Sequence, residues 1–555
     1  MKRGQYLLVL HAHMPYVMAH GRWPHGEVWL YEAAAEVYLP LLQVIDELVA
    51  ADIPCPITLG LTPILLEQLR SHTFREGFSA YLEDRLRRAR DDQGTPVLAP
   101  LARAWEHHFE ALRARWDAIH GDNVGAFAAL AAAGHIELLG GFATHGYAAL
   151  LKHDSMIHAQ LELGLRTSER HLGRRPKGIW LPECSFRPEG PWRVPALGRE
   201  EHQRRGVDRI LEEHGVSHFF VEAGLVMGAR SEGLVEASGF RKVDWEEATR
   251  YPGRGWRSVL QPHRVGSHGG PSAVAAFARH PALSERVWSA EVGYPGDGAY
   301  LEFHKRKDGD GLRYWRVTDR KAGLGEKLLY DPALAEASRW RDADDLARRI
   351  ATELAHFHTW AEPEGVVTTT FDAELFGHWW FEGPAFLRSL FQKLHQHNQV
   401  RALTAEQSLA STPPDKVAWL PEGSWGAGSD HRVWLNEQTQ WMWEALYRAE
   451  DRFLGLRWSV SKARNKRARE LMVVAARELL LLQASDWPFV IRTGGAVDYG
   501  FRRFCGHLDR FDNACTLAQE ALDGQRTSPL ASLRLREGLA SDAVYAEIDL
   551  GLWQG

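Results

Sequence analysis

Short apolar runs punctuate the first three quarters of the chain, and each ends in polar or aromatic residues. Tyr6–Leu10 opens into His11-Ala12-His13, Pro56–Leu61 into a Thr-Pro turn, and Ile136–Leu139 into Gly140-Gly141 and then Thr144-His145. Gly178–Leu181 opens into Pro182-Glu183-Cys184, His218–Val221 into Glu222, and Val366–Thr370 into Phe371-Asp372-Ala373-Glu374. Apolar runs of this length predict buried strands, and strands of a barrel deliver functional groups at their C-terminal ends. Helical spacing over Leu161–His171 and Arg204–His214 lies between them, so an alternating β/α barrel is the economical topology.

The segment from about 74 to 130 breaks this rhythm. It is rich in Arg, Ala, Glu and Leu, reads as helices, and is too long for an ordinary connection, so it predicts a helical insertion. After about residue 410 the strand signals stop, and Thr412-Pro413-Pro414 marks a boundary. Helical patterns follow over Asn436–Leu454, Ala463–Ala484 and Asn513–Leu522. The expected division is a catalytic barrel over 1–410, insertion included, and a helical domain over 411–555 that contributes to the cleft. A Gly-rich stretch with Gly253, Gly255, Gly266, Gly269 and Gly270 reads as loop.

Composition narrows the function class. Hydrophobic residues make up 45% and charged residues 25% of the 555, the profile of an ordinary globular chain. The 22 tryptophans stand out. Indole stacks on flat apolar faces and offers one N–H donor, and sugar rings present such faces; the same side chain also fills cores. With a net charge of −6 and no long Lys/Arg run, nucleic acid is not an expected partner. No stretch approaches the roughly 20 apolar residues of a membrane helix, so no membrane partner is expected. The opening apolar run is cut at once by two histidines and a proline, which reads as a first strand and not as a signal peptide. Cys55, Cys184, Cys505 and Cys515 show no C-x-x-C spacing, and the cytoplasm is the default location.

Two acids stand out chemically. Glu183 follows an apolar strand among Trp180, Pro182 and Phe186, and Asp372 follows Val-Val-Thr-Thr-Thr-Phe and precedes Glu374, Phe376, His378, Trp379 and Trp380. Glycosidic cleavage uses such a pair, one acid protonating the leaving oxygen and the other attacking or supporting the anomeric centre. Strand-end acids also cap helices and pair with arginines. His11 and His13 have a metal reading, which would suit a metal-dependent deacetylase, and a sugar-binding reading; no further ligand motif accompanies them. His145 and His378 read equally as structural or sugar-binding.

Taken together and in order, the motifs resemble glycoside hydrolase family 57. They are His11-Ala-His-Met-Pro-Tyr16, Ile136-Glu-Leu-Leu-Gly-Gly141, Trp180-Leu-Pro-Glu-Cys-Ser-Phe186, Val287-Trp-Ser-Ala-Glu-Val-Gly-Tyr-Pro-Gly-Asp297 and Thr370-Phe-Asp-Ala-Glu-Leu-Phe-Gly-His-Trp-Trp380. The resemblance implies a distorted seven-stranded (β/α) barrel and a retaining mechanism with neither metal nor cofactor. It implies Glu183 as nucleophile and Asp372 as general acid/base, acting on α-glucan polysaccharide.

Within the family the chain is most similar to the α-1,4-glucan branching enzymes, through Gly423-Ser-Trp425-Gly-Ala-Gly-Ser-Asp-His-Arg-Val-Trp434-Leu-Asn436 and Ser485-Asp486-Trp487-Pro488-Phe489. That similarity implies that Trp425 and Trp434 reach over the barrel mouth and form sugar subsites with Trp288 and His11; the other reading has the tryptophans joining two domains. His13, His145, His378 and Asp486 complete the expected substrate-binding set. A 6-hydroxyl acceptor would make the chain a branching enzyme, water an amylase, a 4-hydroxyl a 4-α-glucanotransferase; a glucan-binding protein without turnover is a further reading. The chain departs from the branching pattern at Val221-Glu-Ala-Gly-Leu225, which lacks the expected histidine, and Tyr251 and Trp256 are the candidates for the tip of a lid.

Overall fold

In a computed structural model the chain is described over residues 4–554, apart from 199, 229, 237–238, 243–257, 360, 362–363, 464, 526–528, 531, 534 and 537–541. Seven strands form the central wall: β1 (Gln5–Ala12), β2 (Ile57–Leu61), β3 (Glu137–Gly141), β4 (Ile179–Trp180), β5 (His218–Val221), β6 (Ala275–Ala278) and β7 (Val366–Asp372). The parallel order is β7-β1-β2-β3-β4. One parallel bridge, Gly178 to His218, carries it to β5, which pairs in parallel with β6. Just past β6, the His280 amide donates to the Thr368 carbonyl of β7 at 2.7 Å. The sheet thus curls back on itself as a distorted seven-stranded barrel.

The strands form because their apolar runs are buried on both faces, as parallel strands wrapped by helices require. β1 is buried from end to end, and β7 is buried until Asp372, its first partly accessible residue. Leu7, Val9, Leu139, Trp180, Phe220 and Phe277 pack as one interior cluster. Its rings form a column, Phe277 to Phe220 at 5.8 Å and Phe220 to Trp180 at 6.0 Å, and the His11 ring lies on Trp180 at 4.6 Å. The register sets His11 opposite Asp372 on one side and Gly60 on the other, so the packed interior ends where the polar groups begin.

The stretch read as an insertion holds helices His72–Asp92, Ala99–Ala118 and Asn123–Ala132. The first is capped by the Ser71 hydroxyl, which accepts from the Phe74 amide at 3.1 Å, and the third by Asp122, which accepts from the Gly125 amide at 2.8 Å. One strand was missed and one expectation is corrected. β6 went unread, because Ala-Ala-Phe-Ala has weak strand propensity and forms through its buried pairing. Strand signals also do not stop at 410: Lys416–Trp419 pairs with His263–Val265 and with Arg230–Glu236.

The C-terminal part consists of helices Gln440–Ala463, Lys466–Leu482, Asp486–Thr493 and Val497–Leu522. It is tied to the barrel by backbone bridges from Phe186 to Gly423 and from Gly146 to Ala484. The tail returns as well: Asp542 meets His20 at 2.5 Å and Arg510 at 2.7 Å. No helix of the described residues is long and apolar enough to cross a membrane.

Candidate active site

Glu183 sits in the short turn Pro182–Cys184 that follows β4, with φ 58° and ψ 23°, and Cys184 beside it has φ 49°. Left-handed backbone at non-glycine residues costs about 1–3 kcal/mol each and persists only where surroundings hold it. They do so here. The Trp425 indole N–H donates to Glu183 Oε2 at 2.8 Å, the Ser485 hydroxyl donates to Oε1 at 2.8 Å, and the Trp425 amide donates to the Glu183 carbonyl at 3.0 Å. Burial pushes the Glu183 carboxyl up to about 7 against these two side-chain donors, and Asp486 and Asp372 push the same way. An indole N–H can only donate, so geometry favours the carboxylate.

Asp372, at the end of β7, is raised by burial to about 6, while His13 and Arg279 draw it down. Next to it, Glu374 accepts from the Tyr38 hydroxyl at 2.6 Å and the His13 amide at 3.2 Å and is raised by burial to about 7. Two acids that titrate near neutrality in one cleft are the ingredients of general acid/base work.

His11, His13 and His145 come together. The His13 ring stacks on His145 at 3.9 Å; His11 Nε2 meets His145 Nε2 at 3.1 Å. His13 reaches Asp486 at 3.0 Å and Thr62 at 3.0 Å. Burial opposes its charge, but Asp486 raises it above the ordinary histidine value. Burial, then the His13 charge, holds His11 and His145 well below it. The sequence offered no third ligand beside the histidines, yet the fold brings one: His13, His145 and Asp486 offer atoms within 4.8 Å of one another. His13 Nε2 is already bonded to Asp486, and His145 Nδ1 and Nε2 to Ser485 and His11.

The tryptophans separate. Trp425 lies on Glu183 and meets Trp180 edge-on at 5.0 Å. Trp288 is 55% exposed, a free ring face. Trp434 corrects the expectation: it is 1% exposed, packed against Tyr147 at 4.9 Å and Phe489 at 6.3 Å. Its ring has no face left for a sugar and serves the reading in which it joins domains. His378 is corrected too. It is bound at 2.6 Å to Glu36, which also takes Arg313 at 2.5 Å, and it makes no described contact with Glu183, Asp372 or the histidines. Tyr251 and Trp256 lie outside the described residues.

Two residues went unread. Arg279, just past β6, reaches Glu222 at 2.6 Å and lies over both Trp288 at 5.9 Å and Trp425 at 5.8 Å. It thus pairs with the acid standing where the branching pattern changes. Ser485 had appeared only as a letter beside Asp486; its partner Glu183 is 302 residues away.

A family model for glycosyl hydrolase family 57 matches residues 7–421. The chain belongs to glycosyl hydrolase family 57. A second model, described as the C-terminal part of 1,4-alpha-glucan branching enzyme, matches 445–553. Among family 57 relatives, a 1,4-alpha-glucan branching enzyme of Thermococcus kodakarensis is 39% identical over 512 residues, covering 92% of this chain and 73% of that one. The crystal structure of the Thermococcus branching enzyme superposes with a TM-score of 0.88 at 35% identity, over 99% of this chain and 96% of the other. An alpha-amylase from Thermotoga maritima superposes at 0.83 with 28% identity, over 100% of this chain and 99% of the other.

Proposed function

We propose that the chain is a 1,4-α-glucan branching enzyme working by double displacement through Glu183 and Asp372. Glu183 attacks C1 of an α-1,4-linked glucose while Asp372 protonates the departing oxygen; Asp372 then takes the proton from an incoming 6-hydroxyl as that oxygen displaces the ester. The observation that carries this reading is the grip on Glu183: Trp425, just past the family 57 match, and Ser485, inside the part that matches branching enzymes, hold both carboxylate oxygens. The exposed ring of Trp288 and the partly buried ring of Trp425, with Arg279 over both, suit the stacking of a glucan chain. We place the activity on amylose-like donors and glycogen-like products, in the cytoplasm, where the four unpaired cysteines would stay reduced.

Hydrolysis is the second reading, favoured by the likeness to the Thermotoga amylase and by Glu222, which is bound to Arg279 where the branching pattern has a histidine nearby. Both readings share the ester and differ in whether water at about 55 M loses to an oriented sugar acceptor. The deciding experiment is incubation with amylose followed by debranching and reducing-end analysis. New α-1,6 linkages are expected to exceed new reducing ends; reducing ends alone would leave the amylase, and no change in either would remove the enzyme.

A further inference from the structure

A chain of hydrogen bonds runs inward from the proposed nucleophile. Glu183 Oε1 accepts from the Ser485 hydroxyl at 2.8 Å, Ser485 Oγ meets His145 Nδ1 at 2.8 Å, and His145 Nε2 meets His11 Nε2 at 3.1 Å. The last atom, His11 Nδ1, is buried and has no partner. Ser485 is 0% exposed, His11 2% and His145 3%, so no solvent donor interrupts the series. The Ser485 amide also donates to the His145 carbonyl at 3.0 Å, and the Gly146–Ala484 bridge continues the pairing. The two residues are therefore fixed by backbone as well as by side chain.

Only one arrangement of protons satisfies every link while Glu183 is ionised. A carboxylate only accepts, so the Ser485 O–H must point to it. Ser485 then accepts the proton of His145 Nδ1. His145 is a neutral ring, so its Nε2 carries a lone pair and takes the proton of His11 Nε2. His11, also neutral, is left with a bare lone pair at Nδ1, the one atom that lacks a partner. An unpartnered buried acceptor is tolerated better than an unpartnered buried N–H.

Protonating Glu183 breaks or weakens this order at either oxygen. A proton on Oε2 either faces the Trp425 indole, which cannot turn into an acceptor, or takes the other lone pair and reduces the indole contact to a neutral one. A proton on Oε1 likewise weakens the Ser485 contact, or, if directed at Ser485, requires Ser485 to reverse, then His145, then His11, and leaves an N–H at His11 Nδ1 with nothing to receive it. The other groups that act on Glu183 are Asp372 and Asp486, which favour its protonation, and His13, whose charge opposes it; Tyr147 and Cys184 also sense its charge.

We propose that Ser485 and His145 are positioning residues that act as one donor on Glu183, with Ser485 locked as the donor by His145 and His11, so that the nucleophile stays ionised inside a buried cleft. The proposal rests on Glu183 being the nucleophile. It gives the C-terminal helical part a share in the chemistry besides substrate contact.

The test is the pH dependence of α-1,4 bond cleavage in full-length Ser485→Ala, His145→Asn and the double variant; Asn tolerates the left-handed backbone that His145 adopts, φ 61°. The optimum of kcat/KM, which lies midway between the two apparent pKa values of the pair, is expected to move up by about half a unit in each single variant, because loss of a charge-assisted donor raises the Glu183 carboxyl by about one unit. The double variant is expected to move no further than either single one, because both cut the same series. A loss of activity of equal size at every pH would mean a structural role and overturn the proposal, and additive shifts would overturn the single-donor arrangement. A thermal melt of each variant separates these outcomes from unfolding. A wild type without turnover would instead remove the enzyme reading itself.

Discussion

Glu183 is gripped from beyond its own strand, on a left-handed turn, by an indole and a hydroxyl that come later in the chain, whereas Asp372 is simply the first accessible residue of β7 and its carboxyl has no described hydrogen-bond partner. A nucleophile must present one oxygen along one line of attack, so positional error is expensive. An acid/base must give up and regain a proton within a cycle, and strong donors on both oxygens would hinder that. The contrast in support thus fits the contrast between the tasks proposed for the two acids.

Predictions that would break or sharpen this comparison fall in order of size. Glu183→Gln is expected to lower turnover by about four orders of magnitude or more while glucan binding changes modestly; steady-state kinetics beside affinity electrophoresis in glycogen would show it, and near-native turnover would reject the nucleophile. Asp372→Ala is expected to cost about 10²–10⁴-fold on polymer, yet to spare the first step with an activated aryl glycoside, if that is accepted; equal losses on both would make Asp372 structural.

The wild-type pH profile should be bell-shaped. Cleavage needs one carboxyl ionised and the other protonated, so the rate climbs as the pair loses its first proton and falls as it loses its second. With burial raising the two groups to about 6 and about 7, the maximum is expected between these values; a plateau extending well above pH 8 would contradict it. Trp425→Phe keeps a ring and removes the donor, so kcat/KM should fall by about 10–100-fold, the scale of one hydrogen bond to a charge. Trp434→Phe, by contrast, should leave KM nearly unchanged and lower stability by about 1–2 kcal/mol in denaturant melts, since this ring is packed and not in the cleft.

That last pair shows what could and could not be read from letters. Both tryptophans belong to one motif, nine positions apart, and nothing local distinguishes the ring on the carboxylate from the ring under Tyr147. The strand-end acids were legible because a charge just past a buried apolar run has few bland explanations. The seven-stranded barrel was legible only through likeness to the family; β6, made largely of alanine, gave too little signal of its own. Ser485 and Arg279 could not be read at all, since their roles come from partners that folding brings near, one of them 302 residues away. His378 read as a cleft residue because it shares a motif with Asp372, but its ring is bound by Glu36, at a sequence distance of 342.

The distance between Glu183 and Ser485 also has a meaning in time. A ribosome adding about 5–20 residues per second emits the serine about 15–60 seconds after the glutamate. The His20–Asp542 contact, 522 residues apart, closes about half a minute to two minutes after His20 is made. Once Asp372 has emerged the newborn barrel carries both acids, yet the glutamate still waits for Trp425 and then Ser485, and the loop after the first strand waits for Asp542. The grip on the carboxylate is thus incomplete until Ser485 has been made, so a chain cut short before it would carry both acids without both donors on the glutamate.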